Sequence, residues 1–305
     1  MASTQLLKEL EKILPSERII LGTGMDKYTT FRTGGRAALI VEPENTDEIK
    51  RIVELFNGFS QRYLVLGNGS NVLACDSGIE IPIIHIGKRM SEISGFENCI
   101  TAQGGATLTA VANFAMENSL TGLEFAAGIP GTVGGGVIMN AGAYDGELKD
   151  VVEAVSFVGP DGKEYILSGE EMEFGYRSSA LQDSGCIVTG VSFALRRGNK
   201  AEISEKMKEL NRRRREKQPL EYPSAGSTFK RPAGHFAGTL IQDAGLKGFT
   251  VGGAAVSEKH AGFVINKGGA TTDDILKVID HVRETVYERS GVVLEPEVKI
   301  WSEEK

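Results

Sequence analysis

Cysteine is scarce in this chain, and its arrangement argues against two kinds of site. The 305 residues include three cysteines, Cys75, Cys99 and Cys186, and no two of them form a CxxC pair. An odd number of widely spaced cysteines favours reduced thiols in a cytosol over a disulfide framework or a zinc site. The four histidines make no HExxH or other metal-binding spacing, so we expect no metal.

Targeting and membrane signals are also lacking. The opening segment MASTQLLKELEK has charged residues where a signal peptide needs an apolar core. The net charge of −7 argues against general nucleic-acid binding. We therefore expect a soluble, cytoplasmic protein that acts on small molecules, without nucleic acid or membrane insertion, as a monomer or weak oligomer.

Common nucleotide-binding and nucleophile motifs are missing as well. The chain has no GxxxxGK[ST] sequence, which excludes P-loop chemistry, and GNGSN at 67–71 is an incomplete GxGxxG. Ser227 lies in AGSTF instead of GxSxG, so a triad nucleophile is not predicted. A serine held near an electron-rich carbon can still donate a proton without a triad.

Glycine, by contrast, is abundant, at 38 residues, and it is concentrated between Gly122 and Glu147. Phe125–Ala143 has nineteen residues without a charge, but its six glycines and Pro130 would make a poor membrane helix. Glycine suits backbone that approaches a ligand closely, so a large, phosphorylated cofactor is predicted. GNGSN is then either half of a diphosphate cradle or a simple hairpin turn.

Hydrophobic periodicity predicts helices and strands without strict alternation, which favours an α+β fold over a doubly wound sheet. The predicted helices lie near 6–14, after an N-cap at Thr46, near 108–115, over 203–217, and from 275 to a stop at Gly291. The predicted strands lie at 38–41, 63–66, 81–86, 151–158, 187–195 and 292–301.

Three polar motifs have both a structural and a functional interpretation. Arg177 offers a fork of donors suited to carboxylate or enolate oxygens, although a lone arginine more often forms a surface ion pair. The cations Arg212–Arg215 and Lys217 suit a solvated helix end, and we favour ligand contact only for Lys217. Glu295 and Glu297 lie two apart on a predicted strand and are unremarkable unless that strand reaches the site.

Together these motifs closely resemble the UDP-N-acetylenolpyruvoylglucosamine reductase family, flavoproteins that complete UDP-N-acetylmuramic acid in bacterial wall synthesis. The resemblance runs from TFRTGGRA at 30–37 through GNGSN, the glycine-rich stretch, YRSS, KQPLEYPSAGSTFKRP, FAGTLIQDAGLKG and LEPEVK. It implies FAD as cofactor, NADPH as co-substrate and an FAD-binding fold of the vanillyl-alcohol-oxidase/PCMH type. The expected FAD-binding subdomains are 1–86 and 87–202, the expected substrate-binding domain is 203–290, and 291–305 would return to the site.

The resemblance also implies roles for individual residues. Arg177 and Glu297 would stabilise an enolic intermediate, and Ser227 would protonate it. The implied substrate-binding residues are Tyr176, Lys217, Arg231, Gln242 and His260. The implied FAD-binding residues are Arg32, Thr33, Gly34, Gly67, Asn68, Gly69, Ser70, Asn71, Val72, Gly128, Ile129, Pro130, Gly131, Val133, Gly134, Asn140 and Gly142.

The spacing resembles the shorter subclass of the family, without an extra tyrosine loop, because only forty positions separate Arg177 from Lys217. Ala225 stands where many relatives carry cysteine. Two other functions stay open at this point. One is an FAD oxidase or dehydrogenase acting on a lactone or hydroxy acid, and the other is a non-catalytic flavin- or nucleotide-sugar-binding regulator.

Overall fold

The computed structural model describes residues 4–302, and the chain divides into two compact units. The first unit comprises Leu39–Asn68 and Ile81–Arg213 with the described residues up to Leu21. The second comprises Gly22–Ala38, Gly69–Glu80 and the described residues from Arg214. The domain boundaries expected from the sequence stay a prediction, and their outer residues 1–3 and 303–305 lie outside the described part.

Within 4–302 the chain forms seven α-helices and eighteen β-strands. The helices are α1 (Thr4–Leu10), α2 (Thr46–Gly58), α3 (Leu108–Glu117), α4 (Val133–Ile138), α5 (Lys200–Lys217), α6 (Ala237–Asp243) and α7 (Thr272–Ser290). The strands are β1 (Ile19–Gly24), β2 (Arg36–Val41), β3 (Leu64–Leu66), β4 (Val72–Ala74), β5 (Ile83–His85), β6 (Ile93–Phe96), β7 (Cys99–Gln103), β8 (Leu120–Thr121), β9 (Gly142–Ala143), β10 (Gly146–Glu147), β11 (Val152–Val158), β12 (Glu164–Ser168), β13 (Ile187–Ala194), β14 (Arg196–Arg197), β15 (Thr250–Val251), β16 (Ala254–Val256), β17 (Val264–Asn266) and β18 (Lys299–Trp301).

The first unit contains a five-stranded antiparallel sheet with the strand order β12-β11-β13-β7-β6. Its core includes Val155 and Phe193 of the sheet and Val111 of α3. A second sheet has the order β1-β2-β5-β3, and β2 and β3 both pair in parallel with β5. Helix α2 buries Ile49, Ile52, Val53 and Phe56 as predicted.

The predicted start of α2 was wrong by one residue. Asn45, not Thr46, is the N-cap, because its backbone is extended and its side chain accepts the Glu48 N–H at 2.9 Å. Thr46 is instead the first helical residue. Both residue types cap helices well, so the sequence alone gave no strong reason to prefer one.

The second unit contains the three-stranded antiparallel sheet β15-β16-β17 and helix α7. Ile275, Ile279 and Val282 of α7 are buried in a core shared with Val256 and Val264 of the sheet. Helix α7 ends at Gly291, whose φ of +69° is left-handed, as the sequence predicts for a glycine stop.

The last strand is shorter than predicted. Only Lys299–Trp301 forms a strand, and it pairs in parallel with β4 of the same unit. In the part of 292–298 before it, Pro296 makes an isolated bridge to Phe229. A proline has no N–H to continue a ladder, which explains the interruption.

Arg18 and Glu48 form a buried ion pair in the first unit. Arg18 is 5% exposed, and its two terminal nitrogens donate to the Glu48 carboxylate at 2.7 and 2.9 Å. Burial by itself raises the pKa of Glu48, but the hydrogen bonds from Arg18 and from the Glu44 N–H lower that pKa more. The pKa of Glu48 therefore lies below its ordinary value.

We expect Glu48→Gln to lower the free energy of unfolding at neutral pH by about 2 kcal/mol, because buried Arg18 loses the carboxylate that accepts its two short hydrogen bonds and keeps the more distant, half-exposed Glu44. A carboxyl whose pKa is lowered on folding stabilises the protein above its unfolded-state pKa, and this stabilisation is lost as the pH falls through the folded-state pKa. The variant's stability should thus depend less on pH in the acid range than the wild type's. Denaturant unfolding at neutral and acid pH measures both effects.

Glu44→Gln is the control for this prediction. Its carboxylate lies 3.3 Å from Arg18 but is half exposed, so its loss should lower the free energy of unfolding by less than about 1 kcal/mol. Equal losses in the two variants would contradict the special role of the buried pair.

Candidate active site

The glycine-rich stretch of the first unit is not one continuous helix. Glu124–Gly128 forms a 3-10 helix and Val133–Ile138 forms α4. The N–H groups of Val133 and Gly134 donate to backbone carbonyls of the 104–106 segment at 2.7 and 2.8 Å. A Cβ at Gly136 would lie 3.0 Å from a leucine side chain of α3. The stretch therefore uses glycine largely for close packing, and no described helix is long and apolar enough to cross a membrane.

The GNGSN loop at 67–71 leaves its backbone N–H groups unused. Within the described chain, none of these five N–H groups has a hydrogen-bond partner. A Cβ at Gly67 would collide with the Thr132 hydroxyl, and one at Gly69 would collide with the Tyr28 carbonyl. Gly69 also has a φ of +59°, which favours glycine. The Asn68 amide donates to a backbone carbonyl of the glycine-rich stretch, at Pro130, over 2.5 Å.

The topology excludes one of the two interpretations of GNGSN. The loop joins β3 and β4, which belong to different sheets, so it is not a hairpin turn. A run of unused backbone amides in a loop with two glycines is a donor set for an anion such as a diphosphate. The loop therefore fits the cradle interpretation.

The TFRTGG segment lies beside the second-unit part of this loop. The Thr30 N–H donates to the Gly69 carbonyl at 3.2 Å, and the Thr30 hydroxyl donates to the Ser224 carbonyl at 2.6 Å. Arg32 is exposed and has a φ of +56°. The Thr33 side chain is buried, 3.2 Å from another buried hydroxyl, so it has only its backbone to offer a ligand.

The structure distributes the predicted cofactor-binding residues over both units. The first unit holds Gly67, Asn68, Gly128, Ile129, Pro130, Gly131, Val133, Gly134, Asn140 and Gly142, and the second holds Arg32, Thr33, Gly34, Gly69, Ser70, Asn71 and Val72. Of the predicted catalytic residues, Arg177 lies in the first unit and Ser227 and Glu297 lie in the second.

Arg177 stands near the tip of a tight turn. Gly175 and Ser178 close the turn through two backbone hydrogen bonds of 3.1 and 3.4 Å. Arg177 has a φ of +54°, a conformation that costs a non-glycine residue about 1 kcal/mol. Its Nη2 donates to the Gly142 carbonyl at 3.4 Å, and its guanidinium carbon lies 5.3 Å from the centroid of the Tyr176 ring. Strain of this kind, held at a half-buried arginine, is typical of a functional position.

Ser227 and Glu297 lie on adjoining backbone segments of the second unit. The Glu297 N–H donates to the Thr228 carbonyl at 2.8 Å. The Asn71 amide donates to the Glu297 carbonyl at 3.2 Å, so the GNGSN loop holds the same segment. Ser227 is exposed after Gly226, which has a φ of +76°, whereas Thr228 is buried. The Ser227 hydroxyl is thus accessible, and the turn that carries it is held by the backbone bond between Thr228 and Glu297.

His260 is held in a defined tautomer. The Gly262 N–H donates to its Nδ1 at 3.1 Å, which assigns the proton of the neutral ring to Nε2. Burial lowers the pKa of His260, and the charge of Lys247 lowers that pKa further. A Cβ at Gly238 would lie 3.3 Å from the ring, so glycine makes room for it. At neutral pH the ring of His260 is therefore neutral and carries its proton on Nε2.

The remaining predicted substrate-binding residues are exposed side chains: Tyr176, Lys217, Arg231 and Gln242.

In the basic cluster of α5, Arg212 and Arg213 both pair with Glu209, at 2.8 and 2.7 Å. Their hydrogen bonds lower the pKa of Glu209 to about 2. These two arginines thus pair with a carboxylate of their own helix, which is the arrangement expected of a solvated helix end. Among the described residues, no group of three or more acidic, histidine or cysteine side chains could hold a metal ion.

Sequence reasoning missed two threonines that shape the loop region. Thr30 connects two loops of the second unit, and Thr132 caps α4 through the Gly135 N–H at 3.4 Å while lying against Gly67. Thr132 carries the usual signal of a helix cap, but its contact with a loop 65 positions earlier has no local signal.

Comparison with known proteins first defines the class. Residues 37–168 match the model of an FAD binding domain family. A solved structure of Phl p 4, a grass pollen allergen with glucose dehydrogenase activity, is 16% identical with a TM-score of 0.51, and covers 64% of this chain and 44% of that one. That likeness shows the fold alone. The chain is an FAD-binding α+β protein, as predicted.

The family follows from closer relatives. Residues 218–301 match the model of the UDP-N-acetylenolpyruvoylglucosamine reductase C-terminal domain. The reductases of Clostridium perfringens and Caldanaerobacter subterraneus are 48% and 46% identical, over 97% and 98% of both chains. The crystal structure of the Thermus caldophilus reductase is 36% identical with a TM-score of 0.82, covering 93% of this chain and 99% of that one. The chain belongs to the UDP-N-acetylenolpyruvoylglucosamine reductase family, which confirms the resemblance.

Proposed function

We propose that this protein reduces the enolpyruvyl group of UDP-N-acetylglucosamine enolpyruvate to give UDP-N-acetylmuramate, with NADPH as donor, in peptidoglycan precursor synthesis. The shared name of relatives that match nearly end to end supports this substrate. The observation that carries the proposal is the strained turn of Arg177, which keeps a guanidinium near its tip. We place the reaction in the cytoplasm, where NADPH and nucleotide sugars are made. The expected monomer or weak oligomer stays a prediction.

The residues of both units fit FAD as the cofactor. The unused N–H groups of 67–71 suit its diphosphate, and the glycines at 67 and 69 leave space that a Cβ would fill. In the first unit residues 128–134 and 142 would hold it, and in the second unit 32–34 and Val72 would. When bound, FAD supplies the two-electron chemistry that links NADPH to the enolpyruvyl group.

We assign three roles to the chain's own side chains. The guanidinium of Arg177 binds the substrate carboxylate, where negative charge develops as the double bond is reduced. The Ser227 hydroxyl gives its proton to the carbon beside that carboxylate and regains one from solvent. Glu297 stabilises the enolic form from the segment that adjoins Ser227.

We assign substrate binding to the remaining residues that the resemblance implies. Lys217 and Arg231 supply cations for the diphosphate of the UDP-sugar, and His260 supplies its Nε2–H. Tyr176 and Gln242 complete the proposed set.

The visible spectrum of the purified protein tests the function. We expect flavin absorbance that NADPH bleaches without oxygen and that the enolpyruvyl UDP-sugar restores. Rapid recovery with oxygen and no turnover of the UDP-sugar would favour an FAD oxidase or dehydrogenase of the wider fold. Bound FAD that NADPH does not reduce would favour a non-catalytic regulator.

A further inference from the structure

We infer that Asn140 is a positioning residue that acts through Arg177, an inference that rests on the proposed function. Asn140 is 1% exposed and has a φ of +41°, in the left-handed region that asparagine tolerates better than most residues. Its Nδ2 donates to the Glu147 carboxylate at 2.8 Å and to the Gly175 carbonyl at 2.9 Å. Its Oδ1 accepts the Lys149 N–H at 3.0 Å. The side-chain amide is therefore committed to the protein and not to a cofactor.

Gly175, whose carbonyl accepts from Asn140, is the first residue of the turn that carries Arg177. Hydrogen bonds attach the segment to the glycine-rich stretch: Asn140 donates to Gly175, Arg177 donates to Gly142, and the Ser179 hydroxyl donates to the Ile138 carbonyl at 3.0 Å. The Asn140 bond is the one that fixes the entrance of the turn. Without it, the described residues leave the Gly175 carbonyl with a single bond, the 3.4 Å bond from the Ser178 N–H.

Glu147, the second partner of the Asn140 amide, lies next to the residue that accepts from Arg177. Glu147 lies on β10, directly opposite Gly142 of β9. Gly142 is the residue whose carbonyl accepts from Arg177. A single buried amide thus binds both the turn that carries the guanidinium and the hairpin on which the guanidinium rests. Small displacements of a group that stabilises developing charge lower a rate strongly.

Asn140→Asp tests the inference because aspartate keeps the shape and the left-handed preference but loses both donors. A second variant, Asn140→Asp with Glu147→Gln, removes the carboxylate repulsion and restores a donor between these two positions, but it leaves Gly175 unbound. We expect both variants to bind FAD and to be reduced by NADPH within about threefold of wild type. Reoxidation by the enolpyruvyl UDP-sugar should slow by about 10- to 100-fold in both.

A double-mutant cycle separates positioning from a general structural effect. In an Arg177→Ala background, Asn140→Asp should cause no further slowing of reoxidation, because the group it positions is gone. Asn118→Asp is the matched control, since the Asn118 amide also donates to a backbone carbonyl, at 2.8 Å, but lies exposed after α3. We expect wild-type rates for it.

Three results would overturn the inference. A tenfold weaker FAD affinity of the Asn140 variants, read from flavin fluorescence, would make Asn140 a cofactor ligand. An undiminished effect in the Arg177→Ala background, or recovery of the rate in the double variant, would show that Asn140 does not act through Gly175 on Arg177. Reduced wild-type protein that the UDP-sugar fails to reoxidise would instead refute the proposed function, and this inference with it.

Discussion

Replacing Ser227 by alanine should leave the reduction of FAD by NADPH nearly intact and slow reoxidation by the enolpyruvyl UDP-sugar by about 10²–10⁴-fold. The hydroxyl is exposed on a turn anchored through Thr228, so its loss removes a proton donor without leaving a cavity. Stopped-flow measurement of the two half-reactions, each without oxygen, gives the two rates separately.

Ser224→Ala is the matched control for Ser227→Ala. The hydrogen bond between Thr30 and Ser224 is accepted by the backbone carbonyl of Ser224, so it survives the substitution. Both half-reactions should keep wild-type rates in the control. Equal slowing of the two half-reactions in Ser227→Ala would refute the assignment of Ser227 as the proton donor.

Features with a local cause were predicted well from the sequence. Helix α7 combines an apolar stripe of period 3.6 with a glycine that must be left-handed at its end, and both signals lie within the helix. The GNGSN loop also has a local sign, its two glycines, although the groups with which a Cβ at Gly67 or Gly69 would collide belong to residues distant in sequence. Such constraints permit one residue type and therefore leave a readable motif.

Features that depend on distant backbone could not be predicted. The glycine-rich stretch is proposed to line the FAD site, but nothing in its own sequence predicts that the N–H groups of Val133 and Gly134 donate to carbonyls about 30 residues earlier. The resemblance implies FAD binding for Asn140, and no local signal shows that its side-chain amide reaches Gly175, 35 positions away. A motif shows that a residue is constrained, but only the fold shows which partner constrains it.

Arg177→Ala should slow reoxidation by the UDP-sugar by about 10²–10³-fold, the usual effect of removing one donor from a site of developing charge. Arg177→Lys should recover only part of this rate, because an ammonium keeps the charge but lacks the planar fork that matches a carboxylate. Reduction by NADPH should change little in either variant. Arg62→Ala, at an exposed arginine of the first unit, is the control and should behave as wild type.

The backbone of Arg177 allows a sharper test than activity alone. Glycine adopts a φ of +54° without strain, so Arg177→Gly should be as slow as Arg177→Ala in reoxidation but more stable than it by up to about 1 kcal/mol. Denaturant unfolding of the two variants measures this difference. Arginine at this φ makes the fold less stable than glycine would, and we attribute this loss of stability to the function of the guanidinium. Equal stability of the alanine and glycine variants would show that the turn is not strained at this position. A wild-type rate of reoxidation in both variants would show that the guanidinium has no role in the reaction.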